Sequence, residues 1–199
     1  AGTTYSASLL AYPIPYTGYD TTFNGGYARS DSYVMKFDPD LTMPQVVTYF
    51  GGSHDDSIND LTLDAQGNVY VVGHTASSDL PITATAYDRS HNGSDVFVAK
   101  FTPDLETLLA STFLGGTSYD SGSAIVVEEF SGDVIIAGMV GSIGYAGKSA
   151  STDFPTTLEA FDRTFSGTCR SLFRKTVCPT AAFISRFDSN LSQLKASTF

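Results

Sequence analysis

Apolar and β-branched residues along the chain fall in short runs, and Gly, Pro, Asp and Asn separate one run from the next. No segment shows the sustained periodicity of an amphipathic helix. β-branched and aromatic side chains suit the pleated surface of a sheet, and glycine permits the sharp reversals between strands. The pattern therefore predicts an all-β fold made of many short strands.

The runs recur in a fixed order, which indicates an internal repeat. Residues 48–52 (TYFGG) return as residues 112–116 (TFLGG), 64 positions later. Residues 33–41 return as residues 97–105, again after 64 positions, and as residues 183–191 after a step of 86. The third copy of the repeat therefore carries 22 extra residues.

Each repeat contains four predicted strands, A to D in chain order. The predicted ranges are 58–63 and 124–128 for A, 69–74 and 134–140 for B, 33–37, 96–101 and 182–187 for C, and 45–50, 107–114 and 193–199 for D. A single four-stranded antiparallel sheet cannot bury both of its faces. Stacking successive sheets around an axis buries them, and this arrangement predicts a β-propeller built of four-stranded antiparallel blades.

The repeat boundaries divide the chain into about two and a half blades. Residues 53–116 are predicted to form one complete blade, and residues 117–199 another with two inserted loops. Residues 1–52 are predicted to supply strands C and D of a preceding blade, with an N-terminal loop before them. Propellers typically have about four to eight blades. We therefore expect one propeller domain, or part of a larger one, completed by the rest of a longer chain or by further copies.

The charge of the chain narrows the partners that it can bind. Its formal net charge is -10 and its pI is near 4.4, so phosphate backbones and anionic lipid should be repelled. No apolar run approaches the roughly 18 residues needed to cross a bilayer. We therefore expect no nucleic-acid binding and no membrane insertion.

The repeat motifs resemble those of a known family, the SBBP β-propeller repeat of bacteria and archaea. The resemblance spans nearly the whole chain and is carried by residues 49–53 (YFGGS), Asp56, residues 64–71 (DAQGNVYV), Gly73, residues 78–81 (SDLP) and residues 97–101 (FVAKF). It implies a secreted or surface-anchored protein, generally without a known reaction. We therefore expect an extracellular or cell-surface location.

The sequence contains no visible catalytic constellation. It has no Gly-X-Ser-X-Gly nucleophile elbow, and Glu128 and Glu129 should point to opposite faces of a strand. His54, His74 and His91 do not have the spacing of metal ligands, so we interpret them as ordinary surface or loop residues. The chain is therefore predicted not to be an enzyme and to need no cofactor.

Asp56 and Asp120 occupy equivalent positions after the two Gly-Gly pairs. They are candidate calcium ligands, or they are turn caps that accept backbone N–H bonds. Because the sequence contains no Asp-X-Asp-X-Asp-Gly loop, we favour the capping role.

The insert in the third repeat carries the two cysteines, Cys169 and Cys178. Their spacing does not fit a redox or zinc motif, so a disulfide that closes a loop is the better interpretation, and it implies an oxidising compartment. Arg170, Arg174 and Lys175 lie between them. This positive patch either docks on an acidic surface of a neighbouring subunit or belongs to a simple clamped hairpin.

Asn92 and Asn190 match the N-glycosylation pattern and are predicted to lie in exposed connections. Loop aromatics offer a second kind of surface, because Tyr12, Tyr16 and Tyr19 can stack on sugars, as can Tyr145.

Three functional hypotheses follow from these features. The first is a non-catalytic extracellular scaffold, a structural or adhesive module that assembles by strand or blade complementation. The second is a carbohydrate-binding propeller. The third is a propeller hydrolase or lyase whose active site lies outside these residues.

Overall fold

The computed structural model describes seven stretches of the chain. They are residues 1–6, 16–25, 29–141, 153–165, 170–172, 175–177 and 180–199. Within these stretches all regular secondary structure is β-strand, which confirms the predicted all-β class. The same stretches hold no helix with the length and hydropathy of a membrane span.

Within these stretches, fourteen strands form three four-stranded sheets and one separate hairpin. In chain order they are β1 (Gly2–Thr4), β2 (Tyr16–Thr17), β3 (Asp31–Phe37), β4 (Pro44–Phe50), β5 (Asp56–Leu63), β6 (Val69–Thr75), β7 (Asp95–Phe101), β8 (Leu108–Leu114), β9 (Tyr119–Val127), β10 (Val134–Gly141), β11 (Arg170–Leu172), β12 (Lys175–Val177), β13 (Thr180–Phe187) and β14 (Leu194–Thr198). We number the three sheets along the chain and call them the first, second and third blades.

The second blade is a regular antiparallel meander in the order β5-β6-β7-β8. Its A–B turn contains Gly67 at a φ of 80°, a conformation that glycine adopts without steric cost. The third blade has the same arrangement, β9-β10-β13-β14, and the β11–β12 hairpin lies between its second and third strands in sequence. Both sheets match the four-stranded antiparallel blade predicted from the repeat.

The first blade differs from the sequence-based expectation at its two edges. The predicted C and D strands are present as β3 and β4. In addition, β1 pairs antiparallel with β3, and β2 pairs parallel with β4. The N-terminal segment that was predicted as a loop therefore contributes two short strands, which the sequence pattern did not reveal.

The blades stack face to face, and β7 shows this best because it is buried on both sides. Phe97, Ala99 and Phe101 join a cluster with residues of the first blade. Val96 and Val98, which alternate with them, join a second cluster with residues of the third blade. Burying one Val or Phe side chain stabilises the fold by about 1.5–3 kcal/mol. The hydrophobic core is therefore the set of contacts between neighbouring blades.

Candidate interface between blades

A loop segment runs beside the D strand of each blade (β4, β8 and β14), and we call it the strap (residues 18–20, 83–88 and 157–162). In the first blade the Asp20 N–H donates to Thr48 Oγ1 at 2.9 Å, and the Tyr49 N–H donates to the Asp20 carbonyl at 2.9 Å. The same pair of bonds joins Asp88 to Thr112 and Phe113, and Asp162 to Thr198 and Phe199. The repeated Thr-aromatic motif thus fixes the strap in each blade.

The strap carries an aromatic residue to the next blade. The Tyr19 N–H donates to the Leu105 carbonyl at 2.7 Å, and the Tyr87 N–H donates to the Leu191 carbonyl at 2.9 Å. The ring centroids of Tyr87 and Phe187 lie 5.7 Å apart, with the rings edge-on to each other. The ring centroids of Tyr19 and Phe101 lie 6.0 Å apart. The straps of the first and second blades therefore contact the C–D turn and the end of strand C in the following blade.

The leucine of each C–D turn has an unusual backbone conformation. Leu41, Leu105 and Leu191 have φ values of 56°, 61° and 55°. This left-handed conformation costs an ordinary L-residue about 1–2 kcal/mol. At Leu105 and Leu191 the side chain is buried in a contact between blades, which offsets that cost. Each of these two turns therefore packs its leucine side chain against the neighbouring blade.

We call the contacts between neighbouring blades joints, and the strap contact described above is the strap joint. A second joint, at the start of strands A and C, contains paired carboxylates. Asp56 Oδ2 accepts the Gly52 N–H at 2.7 Å and the Ser77 hydroxyl at 2.8 Å. A Cβ atom on Gly51 would lie 2.9 Å from Asp56 Oδ2 and closer still to Asp31 Oδ1. The backbone at Gly51 therefore runs between two buried aspartates that belong to different blades.

The same joint recurs between the second and third blades. The Gly116 N–H donates to Asp120 Oδ2 at 2.7 Å, and Gly115 lies against both Asp120 and Asp95. Burial raises the pKa of Asp31 and of Asp95 to about 6. The Oδ1 atom of each of these two aspartates is buried and has no hydrogen-bond partner among the described residues. Each joint therefore contains a carboxyl group whose charged form is disfavoured.

Each outward face of the stack carries one of the two partners of the strap contact, either the turn leucine or the strap aromatic, without the other. We call the outer face of the first blade the front face and that of the third blade the back face. On the front face Leu41 is 76% exposed, whereas Leu105 is 1% and Leu191 is 0% exposed. On the back face Phe161, at the strap position of Tyr19 and Tyr87, is 97% exposed. Each end thus presents one side of a contact that the interior makes twice.

The predicted calcium candidates, Asp56 and Asp120, lie in the two carboxylate joints. Their partners Asp31 and Asp95 were missed, although both occupy the same position of the repeat. Among the described residues no group of three or more His, Cys, Asp and Glu side chains could hold a metal ion. Calcium binding at Asp56 and Asp120 stays a prediction.

The predicted disulfide and positive patch fall largely beyond what the structure describes. Cys169, Cys178 and Arg174 lie outside the described residues. The backbones of Arg170 and Lys175 belong to the antiparallel β11–β12 hairpin, in which Arg170 pairs with Val177 and Leu172 pairs with Lys175.

The two glycosylation candidates, Asn92 and Asn190, are both exposed, the first before β7 and the second in the C–D turn of the third blade. Of the loop aromatics, Tyr12 and Tyr145 lie outside the described residues, and the backbone of Tyr16 belongs to β2. Tyr19 contacts the second blade through its backbone and ring.

His74 and His91 lie close to aromatic rings of the blades. The ring of His74 lies 5.3 Å from that of Tyr119, and burial lowers its pKa. His91 lies 5.6 Å from the ring of Phe113. His54, which is exposed, and His91 both lie in loops as predicted, whereas His74 lies in strand β6.

Comparison with known proteins agrees with this architecture. The family model described as SBBP, beta-propeller repeat, matches residues 47–81, which run from strand β4 through the Gly-Gly joint and strands β5 and β6 to Pro81. Residues 47–81 therefore match an SBBP-type β-propeller repeat, as their motifs indicated. A search of curated proteins found no match to this chain.

Proposed function

We propose that the chain is a non-catalytic structural and adhesive module of the cell exterior, a rigid stack of propeller blades that joins further blades. The observation that carries the proposal is the use of the repeated polar motifs. Thr48, Asp56 and Gly51 all serve the strap or the joints between blades. Side chains that hold blades together in this way are not free to bind and turn over a substrate.

The surface of the stack supports the same role. Ile184, Phe161 and Leu158 are exposed on the back face, and Phe37 and Leu41 are exposed on the front face. Exposed apolar patches of this kind mark sites of protein association in soluble proteins. The acidic charge of the chain keeps such a surface soluble until a partner covers it.

An extracellular site can be tested on intact cells of the source organism. We expect antibodies against the chain to label the outer surface, and external protease to remove the signal without breaking the cells. A protein that is found only after lysis would contradict this placement. A glycan array would test the alternative role, because selective binding to one sugar class would favour a carbohydrate-binding propeller instead.

A further inference from the structure

We propose that two copies of this chain bind head to tail, with the back face of one copy against the front face of the other. The contact joins Phe161 of the first copy to the Leu41 turn of the second. This inference rests on the proposed structural role, and it goes further by naming the partner and the residues that meet.

The two internal joints provide the template for this contact. In each of them a strap aromatic donates its backbone N–H to a left-handed leucine of the next blade. Phe161 occupies the strap position equivalent to Tyr87, and Leu41 occupies the turn position equivalent to Leu191. In a head-to-tail pair the same geometry would form for a third time.

The back face has a groove in the place where a turn would dock. It has a volume of about 620 Å³, and its lining includes Leu158, Phe161, Arg186 and Lys195. In the joint between the first and second blades, the equivalent of Arg186 is Lys36, whose Nζ donates to the Pro103 carbonyl at 3.3 Å. The turn of a second copy would present Pro39 at that position.

The front face has residues that match this groove. Phe37 and Leu41 are exposed, whereas their equivalents in the second blade, Phe101 and Leu105, are buried against the first blade. Leu41 keeps the left-handed φ of 56° although its side chain is exposed. Its unfavourable conformation is therefore not offset within one copy, and docking on a back face would bury it.

A second copy is the occupant because this chain carries both halves of the contact. The two halves lie on opposite faces of the stack, so the interface is heterologous. Such an interface produces a closed ring if the rotation between copies closes, and an open filament if it does not.

The decisive experiment uses two variants of the 199-residue chain, Phe161→Asp and Leu41→Asp. Each variant retains one intact face, and both changed side chains are exposed, so folding should be preserved. In sedimentation velocity the average mass of the unchanged protein should rise with its concentration, because copies associate. Each variant alone should stay monomeric. An equimolar mixture of the two should form a one-to-one dimer and nothing larger, because both ends of that dimer are blocked.

Phe130→Asp is the matched control. Phe130 is 96% exposed, much like Phe161, but it lies in an A–B turn and not on the strap. The equivalent turn residues of the second blade are Ala65 and Gln66. They are exposed although the second blade has a neighbouring blade on each side. This variant should associate as the unchanged chain does.

Three outcomes would overturn the inference. If the unchanged chain is monomeric at every concentration, the open faces are not contacts between copies and would suit additional blades of a longer chain. Association that survives both face variants, or is lost equally in the Phe130→Asp control, would place the contact elsewhere. None of these outcomes bears on where the protein is located, so the surface-labelling experiment tests the proposed function separately. Circular dichroism of each variant confirms that it is folded.

Discussion

The backbone N–H of Tyr87 donates a 2.9 Å hydrogen bond to the carbonyl of Leu191, across the joint between the second and third blades. These residues are 104 positions apart in the sequence, yet the same bond joins Tyr19 to Leu105 one blade earlier. A contact that recurs in this way is a property of the repeat. The same contact therefore joins each pair of neighbouring blades in the stack.

The buried and exposed turn leucines should respond differently to truncation. Leu191→Ala removes a side chain from the core while it keeps a Cβ at the left-handed position, so it should lower the free energy of unfolding by about 2–5 kcal/mol. Leu41→Ala, in a monomeric background such as Phe161→Asp, should change it by no more than about 0.5 kcal/mol. Urea unfolding measures both. Equal losses would show that Leu41 is already packed within one copy.

Much of the blade could be predicted from the sequence because strands depend on local pattern. The predicted C strand at 96–101 is observed as Asp95–Phe101, and the predicted B strand at 69–74 as Val69–Thr75. Among the strands that were predicted, the largest boundary error is in β9, which begins at Tyr119 and not at 124. Its early part, which is rich in Ser and Gly, lacks the apolar residues that mark a strand.

The joints could not be predicted, because they unite residues that are far apart in the sequence. The left-handed leucines are an example, since a turn position with positive φ normally indicates glycine or asparagine. A signal was nevertheless present. Leu41, Leu105 and Leu191 place an apolar residue at the same point of three polar turns, and Leu105 and Leu191 are buried against a neighbouring blade. The equivalent positions of Asp31 and Asp95 offered a similar signal.

The carboxylate joints predict a pH dependence of stability. The folded chain holds the Asp95 pKa at about 6, above its ordinary value of 3.8, so folding favours the protonated form. The contribution of this group to stability is complete below about pH 3.8 and is lost as pH rises through 6. Asp95→Asn, which stays neutral, should therefore gain stability relative to the unchanged chain between pH 4 and 7. Thermal unfolding across that range measures the difference.

Asp133→Asn is the control with the opposite sign. Hydrogen bonds and ion pairs with Lys195 and Arg186 hold the Asp133 pKa below its ordinary value. Its contribution to stability is present above pH 3.8 and is lost as pH falls through the lower folded pKa. This variant should be less stable than the unchanged chain at pH 7, and the deficit should shrink at low pH. A deficit for Asp95→Asn at pH 7 would contradict the carboxylate-joint account.

The predicted disulfide can be tested directly on the purified chain. Cys169 and Cys178 lie outside the described residues, and they flank in sequence the β11–β12 hairpin, in which Arg170 pairs with Val177. Mass spectrometry of an unreduced digest should find the Cys169 and Cys178 peptides linked, and reduction should separate them. Free thiols in protein purified without reductant would contradict the prediction.

The most direct test of the stacked-blade account is a double-mutant cycle between Tyr87 and Phe187, whose rings meet across a joint. With Tyr87→Ala and Phe187→Leu, we expect a coupling energy of about 0.5–1.5 kcal/mol in unfolding experiments. The equivalent cycle between Phe161 and Phe37, which lie on opposite faces of one copy, should give none when the chain is monomeric. Zero coupling between Tyr87 and Phe187 would show that these blades do not pack face to face.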